Sequence, residues 1–260
     1  MINLFRKIRQ ENLIKNKFSK YLIYAIGEIV LVVIGILLAL QINSWNQQRV
    51  EDEKEIALLT SLKSEFQHNL STLNESIEIN RKVTESCLQL TQLIRADSIT
   101  KVPDLVDELL LNIGGISSFD ARTGISSEIV NSGKLNILKN KDLRERLGNW
   151  LTLIGDSQED LLFRSDNYTM NLMPFLIQRF PLANGELTKK LEHDKKNYLE
   201  TYKVKSPFKS NLSQKDLMEF ENQVWHHKHN HDYVVINELN IQDFILSTIE
   251  ILEEELREKG

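Results

Sequence analysis

The sequence predicts an all-α protein: one N-terminal transmembrane helix followed by an elongated antiparallel helical bundle. Three observations carry that prediction. A long uncharged apolar run lies near the start, from Tyr21 to Ile42, broken only by Glu28. Beyond it, apolar residues recur at steps of three and four over long stretches, the period of an amphipathic helix. The third is a shortage of helix breakers. The first 102 residues hold no proline, and no glycine lies between Ile36 and Ile113.

The apolar run reads YLIYAIGEIVLVVIGILLALQI. A hydrocarbon core about 30 Å thick takes about 20 apolar residues at a rise of 1.5 Å each, and the run matches. Signal peptides have shorter apolar cores and end at a small-residue cleavage site. This run leads into Gln41-Ile42-Asn43-Ser44-Trp45-Asn46-Gln47 instead, so an uncleaved anchor over 21–43 is expected. Orientation follows from charge. Arg6, Lys7, Arg9, Lys15, Lys17 and Lys20 against Glu11 give residues 1–20 a net charge of +5, and the rest of the chain carries −10. Basic residues flanking a span stay in the cytoplasm. Residues 1–20 therefore read as a cytoplasmic basic arm and 44–260 as a periplasmic helical domain, with the anchor in a bacterial inner membrane. Tyr21, Tyr24 and Trp45 mark the two interfaces.

Two features stand inside the span. Gly27, Gly35 and Ala39 share one face with Leu31 at four-residue spacing, which permits close approach of a second helix. Glu28 is an acid within an apolar segment, a costly placement that often marks function. Its alternative reading is a side chain that reaches back to the interface. Gly27, Glu28, Gly35 and Ala39 are thus the candidate membrane or oligomer face.

In the outer region, Leu59, Leu62, Phe66, Leu70, Leu73, Ile77, Val83, Cys87, Leu90 and Ile94 predict one long helix over 45–96, continuing the span. Asp104 to Ile113 predicts a short helix ended by Gly114-Gly115. SSEIVNSGKL predicts another, closed by Gly133. Lys139 to Leu176 repeats the helical pattern through Leu143, Leu147, Trp150, Leu151, Ile154, Leu161, Leu162, Tyr168 and Leu172, with Pro174 and Pro181 bounding its end. Asn184-Gly185 signals a turn, Leu187–Tyr202 a weaker helix, and Ser206-Pro207 a loop. Ser213 is a cap for a helix beginning near Gln214. The last helical stretch, Asp232 to about Lys259, points Val235, Leu239, Ile245, Ile249, Leu252 and Leu256 one way.

The opening FRKIRQENLIKNKFSKYLIYAIGEIVLVVIGILLALQINSWNQQR resembles the N-terminal hallmark of an uncharacterised family of bacterial inner-membrane proteins, known only as a domain of unknown function. SSEIVNSGKLNILKNKDLRERLGNWL resembles that family's second recurring block. The resemblance implies a single span with a helical outer domain and places Gly27, Glu28 and Gly35 at motif positions. It implies no activity, substrate or catalytic residue.

Chemistry is sparse. His226, His227, His229 and His231 form the densest cluster. His227 and His231 are four apart, share a helical face and have a spacing that chelates zinc or nickel, with Asp232 or Glu238 as a further oxygen donor. The plainer reading is an exposed polar helix end. Cys87, the single cysteine, lies on an apolar face, the setting of an inert thiol. Ser126, Glu128, Asn131, Ser132 and Lys134 form a polar stretch better suited to capping than to ligand binding. No catalytic residue and no cofactor is expected. The acidic body disfavours nucleic acid, which leaves the lipid bilayer and a protein partner or second copy as partners. Three functions follow: a non-enzymatic scaffold, sensor or tether in the envelope; an accessory subunit of an ion- or proton-coupled complex using Glu28; or a metal-binding protein or hydrolase at His226–His231.

Overall fold

The structure, a computed structural model, describes residues 18–115, 117–187 and 202–259. Residues 1–17 of the basic arm expected over 1–20 and most of the helix expected over 187–202 lie outside them. Among the described residues there are helices and no strand, as the periodicity predicts. The elements are α1 (Phe18–Arg95), α2 (Pro103–Ile113), α3 (Gly124–Asn131), α4 (Lys141–Asn167), α5 (Met173–Arg179) and α6 (Gln214–Lys259). Short 3₁₀ turns cover Lys134–Ile137 and Leu182–Leu187, and a π turn covers Tyr168–Leu172. The chain divides into two compact units, Met1–Ala57 and Leu58–Gly260.

In the first unit the described residues form helix, and that helix is long and apolar enough to cross a membrane. Its large side chains from Leu22 to Ile42 are exposed around its whole circumference.

The second unit is a bundle. Four contacts set α6 antiparallel to α1: Lys63–Glu253 at 2.9 Å, Gln242–Asn74 at 2.6 Å, Asn80–Glu238 at 2.9 Å and Arg95–Glu221 at 2.6 Å. Arg146 reaches Ser247 at 2.9 Å and Asn167 meets His226 at 3.0 Å, so α6 is antiparallel to α4 as well. The inward row of α1 matches the expected one except that Leu70 is only half-buried. α1 ends where Asp97 takes a left-handed conformation (φ 50°), one that aspartate tolerates.

Two expectations need correction and one gains detail. The stretch expected to end between Pro174 and Pro181 does end there, at Arg179, but it is not one regular helix. The backbone widens into the π turn at Tyr168–Leu172 and resumes as α5 with Pro174 in its first turn. Proline lacks an N–H and its ring crowds the carbonyl four residues earlier, and the wider turn removes that clash. The C-terminal helix does not begin at Asp232 but runs unbroken from Gln214. Ser213 caps it: the Asp216 N–H donates to Ser213 Oγ at 3.2 Å, while Asp216 Oδ2 accepts from Ser213 N at 2.9 Å and Oγ at 2.6 Å. Finally, its buried row is Phe220, Val224, His227, Asn230, His231, Val234, Glu238, Ile241, Ile245, Thr248 and Leu252, whereas Val235 and Leu239 are only half-buried. A row traced through apolar residues alone drifts off the true face where that face carries polar side chains. Leu162 of α4 is likewise exposed.

α3 is held to α1 by a carboxylate. Glu65 accepts from the Ile125 N–H at 2.6 Å and the Ser126 N–H at 3.1 Å, using the free donors of a helix start. Asn69 adds two bonds to the Arg122 backbone, both at 2.8 Å. α3 then closes through Ser132 and Gly133, whose left-handed φ of 72° favours glycine, as the sequence predicts. Glu128 and Lys134 form an exposed ion pair at 2.6 Å.

Candidate functional site

The bundle holds two apolar cores. One gathers Leu59, Leu62, Phe66, Leu73 and Ile77 of α1, Leu143, Leu147 and Trp150 of α4, and Ile241, Ile245 and Leu252 of α6. The other gathers Val83, Cys87, Leu90 and Ile94 of α1, residues of α2, Tyr168, Leu172 and Phe175, and Phe220 and Val224 of α6. Each large apolar side chain so buried contributes about 1.5–3 kcal/mol.

Along each long helix the sequence turns polar between the two cores. α1 contributes Ser76 and Asn80, α4 contributes Arg164, and α6 contributes His227, His231 and Glu238, all buried. Each stands at a three- or four-residue step within the inward row. Hydropathy alone passes over Asn80 and Arg164, and the signal that finds them is the gap they leave: between Ile77 and Val83, and between Leu161 and Tyr168.

Asn80 joins the two opposite charges of this layer. Its Nδ2 donates to both Glu238 oxygens, at 3.0 and 2.9 Å, and its Oδ1 accepts from Arg164 at 2.7 Å. Ser76 Oγ donates to Glu238 at 2.6 Å, and Arg164 donates to the Ser117 carbonyl at 2.6 Å. Burial pushes the Glu238 carboxyl above its ordinary range, against the opposing pull of Ser76, Asn80 and Arg164. Burial likewise lowers the Arg164 pKa, with Glu238 countering it. Ser76 and Glu238 pair a hydroxyl with a carboxylate, but Ser76 is 2% exposed and closed to a substrate. Glu238 also lines a small pocket of about 30 Å³ with Ser117, Ser118, Ser157 and Asn237, room for about one water.

The histidine pair lies inside this layer. His227 and His231 are fully buried with ring centroids 4.5 Å apart, so an exposed helix end does not describe them. His227 Nε2 donates to the Ile113 carbonyl at 2.9 Å and its ring lies 5.2 Å from that of Tyr168. Among the described residues neither ring nitrogen of His231 has a hydrogen-bond partner. Burial depresses the His227 pKa to about 4 and, with His227 and Arg164 adding to it, that of His231 to about 2. Both rings are therefore neutral at ordinary pH. Among the described residues no three His, Cys, Asp or Glu side chains are placed to hold a metal ion. The expected oxygen donors are engaged elsewhere: Asp232 pairs with Lys228 at 2.6 Å, and Glu238 with Ser76 and Asn80. His226 meets Asn167, and exposed His229 sits between the rings of Trp225 and Tyr233. Cys87 is buried, its thiol pushed up to about 12 by desolvation, so thiolate chemistry is closed to it.

The remaining candidates lie in the first unit. Gly27, Glu28, Gly35 and Ala39 are exposed on the apolar helix, and among the described residues a Cβ added at Gly27 or Gly35 would meet nothing within 4 Å.

Among curated proteins none matches this chain, and no solved structure matches it. A family model does match, over residues 28–168. The matched stretch opens at Glu28, takes in Asn80 and Arg164, and stops before α6 with its histidines and Glu238. It covers more than half of the chain, which therefore belongs to DUF6090, a family of unknown function.

Proposed function

We propose that the protein is an envelope protein held in a bacterial cytoplasmic membrane by residues 21–43, with its basic arm in the cytoplasm and its helical bundle in the periplasm. The bundle acts there as a non-enzymatic scaffold, sensor or interaction module toward a protein partner or a second copy. The observation that carries this reading is the helix surface from Leu22 to Ile42, where large apolar side chains point outward on every side. A helix apolar all round has no single face to bury against a core, and lipid solvates all faces at once. The six basic residues before the segment and the acidic Glu51-Asp52-Glu53 after it support the orientation. The buried polar layer suits a body that works through its surface. Alkaline phosphatase fused after residue 60 should be active and fused before residue 20 inactive; the reverse pattern overturns the orientation. Crosslinking in intact cells should trap the bundle with a partner or a copy of itself, and a protein that stays a lone monomer speaks against the scaffold reading.

A second reading rests on Glu28, an exposed carboxylate set among Ile26, Ile29 and Leu31. An accessory subunit of an ion- or proton-coupled complex would place such an acid against a neighbouring helix. Glu28→Gln should then abolish function while leaving the protein in the membrane fraction, and unchanged function ends that reading.

A further inference from the structure

A cleft of about 300 Å³ opens in the bundle among the turn after α1, the start of α2, the stretch after α5 and the loop before α6. Its size is at the lower end of small-molecule sites. Ile99, Val106 and Phe180, all buried, supply an apolar floor, and exposed Phe208 stands at its rim. One wall is polar. Asp107 lines the cleft, yet its side chain belongs to the buried set. Asn184, also buried, is turned so that its Oδ1 accepts from the Ser206 N–H at 2.9 Å and its amide group hydrogen-bonds Asp107. Gly185 keeps this wall close: a Cβ there would lie 2.8 Å from Leu111 Cβ and 2.9 Å from the Asp107 carbonyl oxygen.

A carboxylate has about four lone-pair positions, and Asn184 supplies an amide for them. Lys205 acts on Asp107 from further off but is ion-paired with Asp104, and Lys209 also lines the cleft without a resolved influence on Asp107. Desolvation, with the Asp104 carboxylate adding to it, outweighs Asn184 and Lys205 and raises the Asp107 pKa. An acid buried beside an apolar floor with its charge incompletely offset is costly unless a cation arrives. From the cleft's shape and the placement of Asp107 we infer that this is a binding site for a small organic amine, its ammonium group on the Asp107 carboxylate and its compact apolar body on Ile99, Val106 and Phe180 under the Phe208 ring. The site does not depend on the membrane reading, and it would give the sensor form of that reading a chemical signal.

The test uses the full chain in detergent micelles and three probes of one shape: phenethylamine, 2-phenylethanol and 3-phenylpropionate. Calorimetry should show saturable binding of the amine, with the alcohol and the acid weaker by about tenfold or more, the usual worth of a charged hydrogen bond. Asp107→Asn should reduce amine affinity about tenfold and erase the preference over the alcohol. Phe208→Ala, at an exposed position that leaves the core intact, should weaken all bound probes a few-fold. No saturable amine binding at millimolar concentration, equal binding of amine and alcohol, or full affinity in a folded Asp107→Asn variant would each overturn the inference. If Asp107→Asn does not fold, probe selectivity on the native chain and the Phe208→Ala result still decide it.

Discussion

Leucine, isoleucine and valine dominate both residues 22–42 and the inward row at 59–94 of α1, and they meet opposite fates. In the first stretch the large apolar side chains are 46–69% exposed, and in the second the buried ones are 0–8% exposed. Residue type does not separate them, since both rows are aliphatic. Period does. Residues 22–42 are apolar at nearly every step and leave no polar side to face water. Residues 59–94 are apolar every third or fourth position and leave the remaining faces charged. The same helix therefore carries two different instructions about its surroundings.

The largest expected effect tests the first instruction. Val33→Asp with Leu37→Asp puts two charges in the middle of the apolar stretch, at about 2.5–3.5 kcal/mol each against membrane insertion. The double variant should leave the membrane fraction while the bundle keeps its helical circular dichroism. A variant that stays in the membrane breaks the contrast.

Next in size is the polar layer in the second stretch's bundle. Arg164→Leu removes the donors to Asn80 and the Ser117 carbonyl and leaves Glu238 without its counter-charge. It should destabilise the bundle by about 3–5 kcal/mol in urea titrations. Adding Glu238→Leu should restore part of that loss, and no recovery would show that the two charges are not coupled.

The smallest effect, taken per pH unit, is a dependence on pH. His227 and His231 stay neutral in the fold, with pKa values depressed to about 4 and about 2 from the ordinary 6.5. The unfolded chain takes up protons first, so stability is complete above about pH 6.5 and falls as the pH drops toward the folded values, by about 1.4 kcal/mol per pH unit for each ring. His231→Leu should remove one of these two slopes between pH 6.5 and about 4. Urea midpoints at pH 7, 6 and 5 measure it, and an unchanged slope excludes His231 as its source.

These contrasts also show what the sequence discloses. Leu62, Phe66, Leu73 and Cys87 are legible because burial there is hydrophobic and repeats with the helix. Ser213 and Gly133 are legible because capping is local chemistry. Asn80, Arg164 and Glu238 are hidden because a polar side chain inside a bundle becomes favourable only through partners on other helices, at great sequence distance. His227 and His231 stand out in the sequence for metal-like spacing, while their burial depends on the whole cross-section. The π turn is hidden for a similar reason: the spacing carries the helical stretch past Pro174 to Leu176, and the widened turn that admits the proline is set by the packing of Tyr168 and Leu172.

The polar layer limits how this chain can change its length. Phe66 and Trp150 face each other, as do Asn80 and Arg164, at the same sequence offset, so α1 and α4 advance in step from the first core to the polar layer. One residue inserted between Phe66 and Asn80 would rotate everything after it by about 100°. Asn80 would swing away from Glu238 and Arg164, and an aliphatic neighbour would meet two charges in its place. Insertions and deletions are thus confined to the turns and to the ends of the bundle, or must occur together in α1, α4 and α6. The charged cross-section works as a ruler for gene-level change, and long helices that would otherwise slip past one another must keep common count.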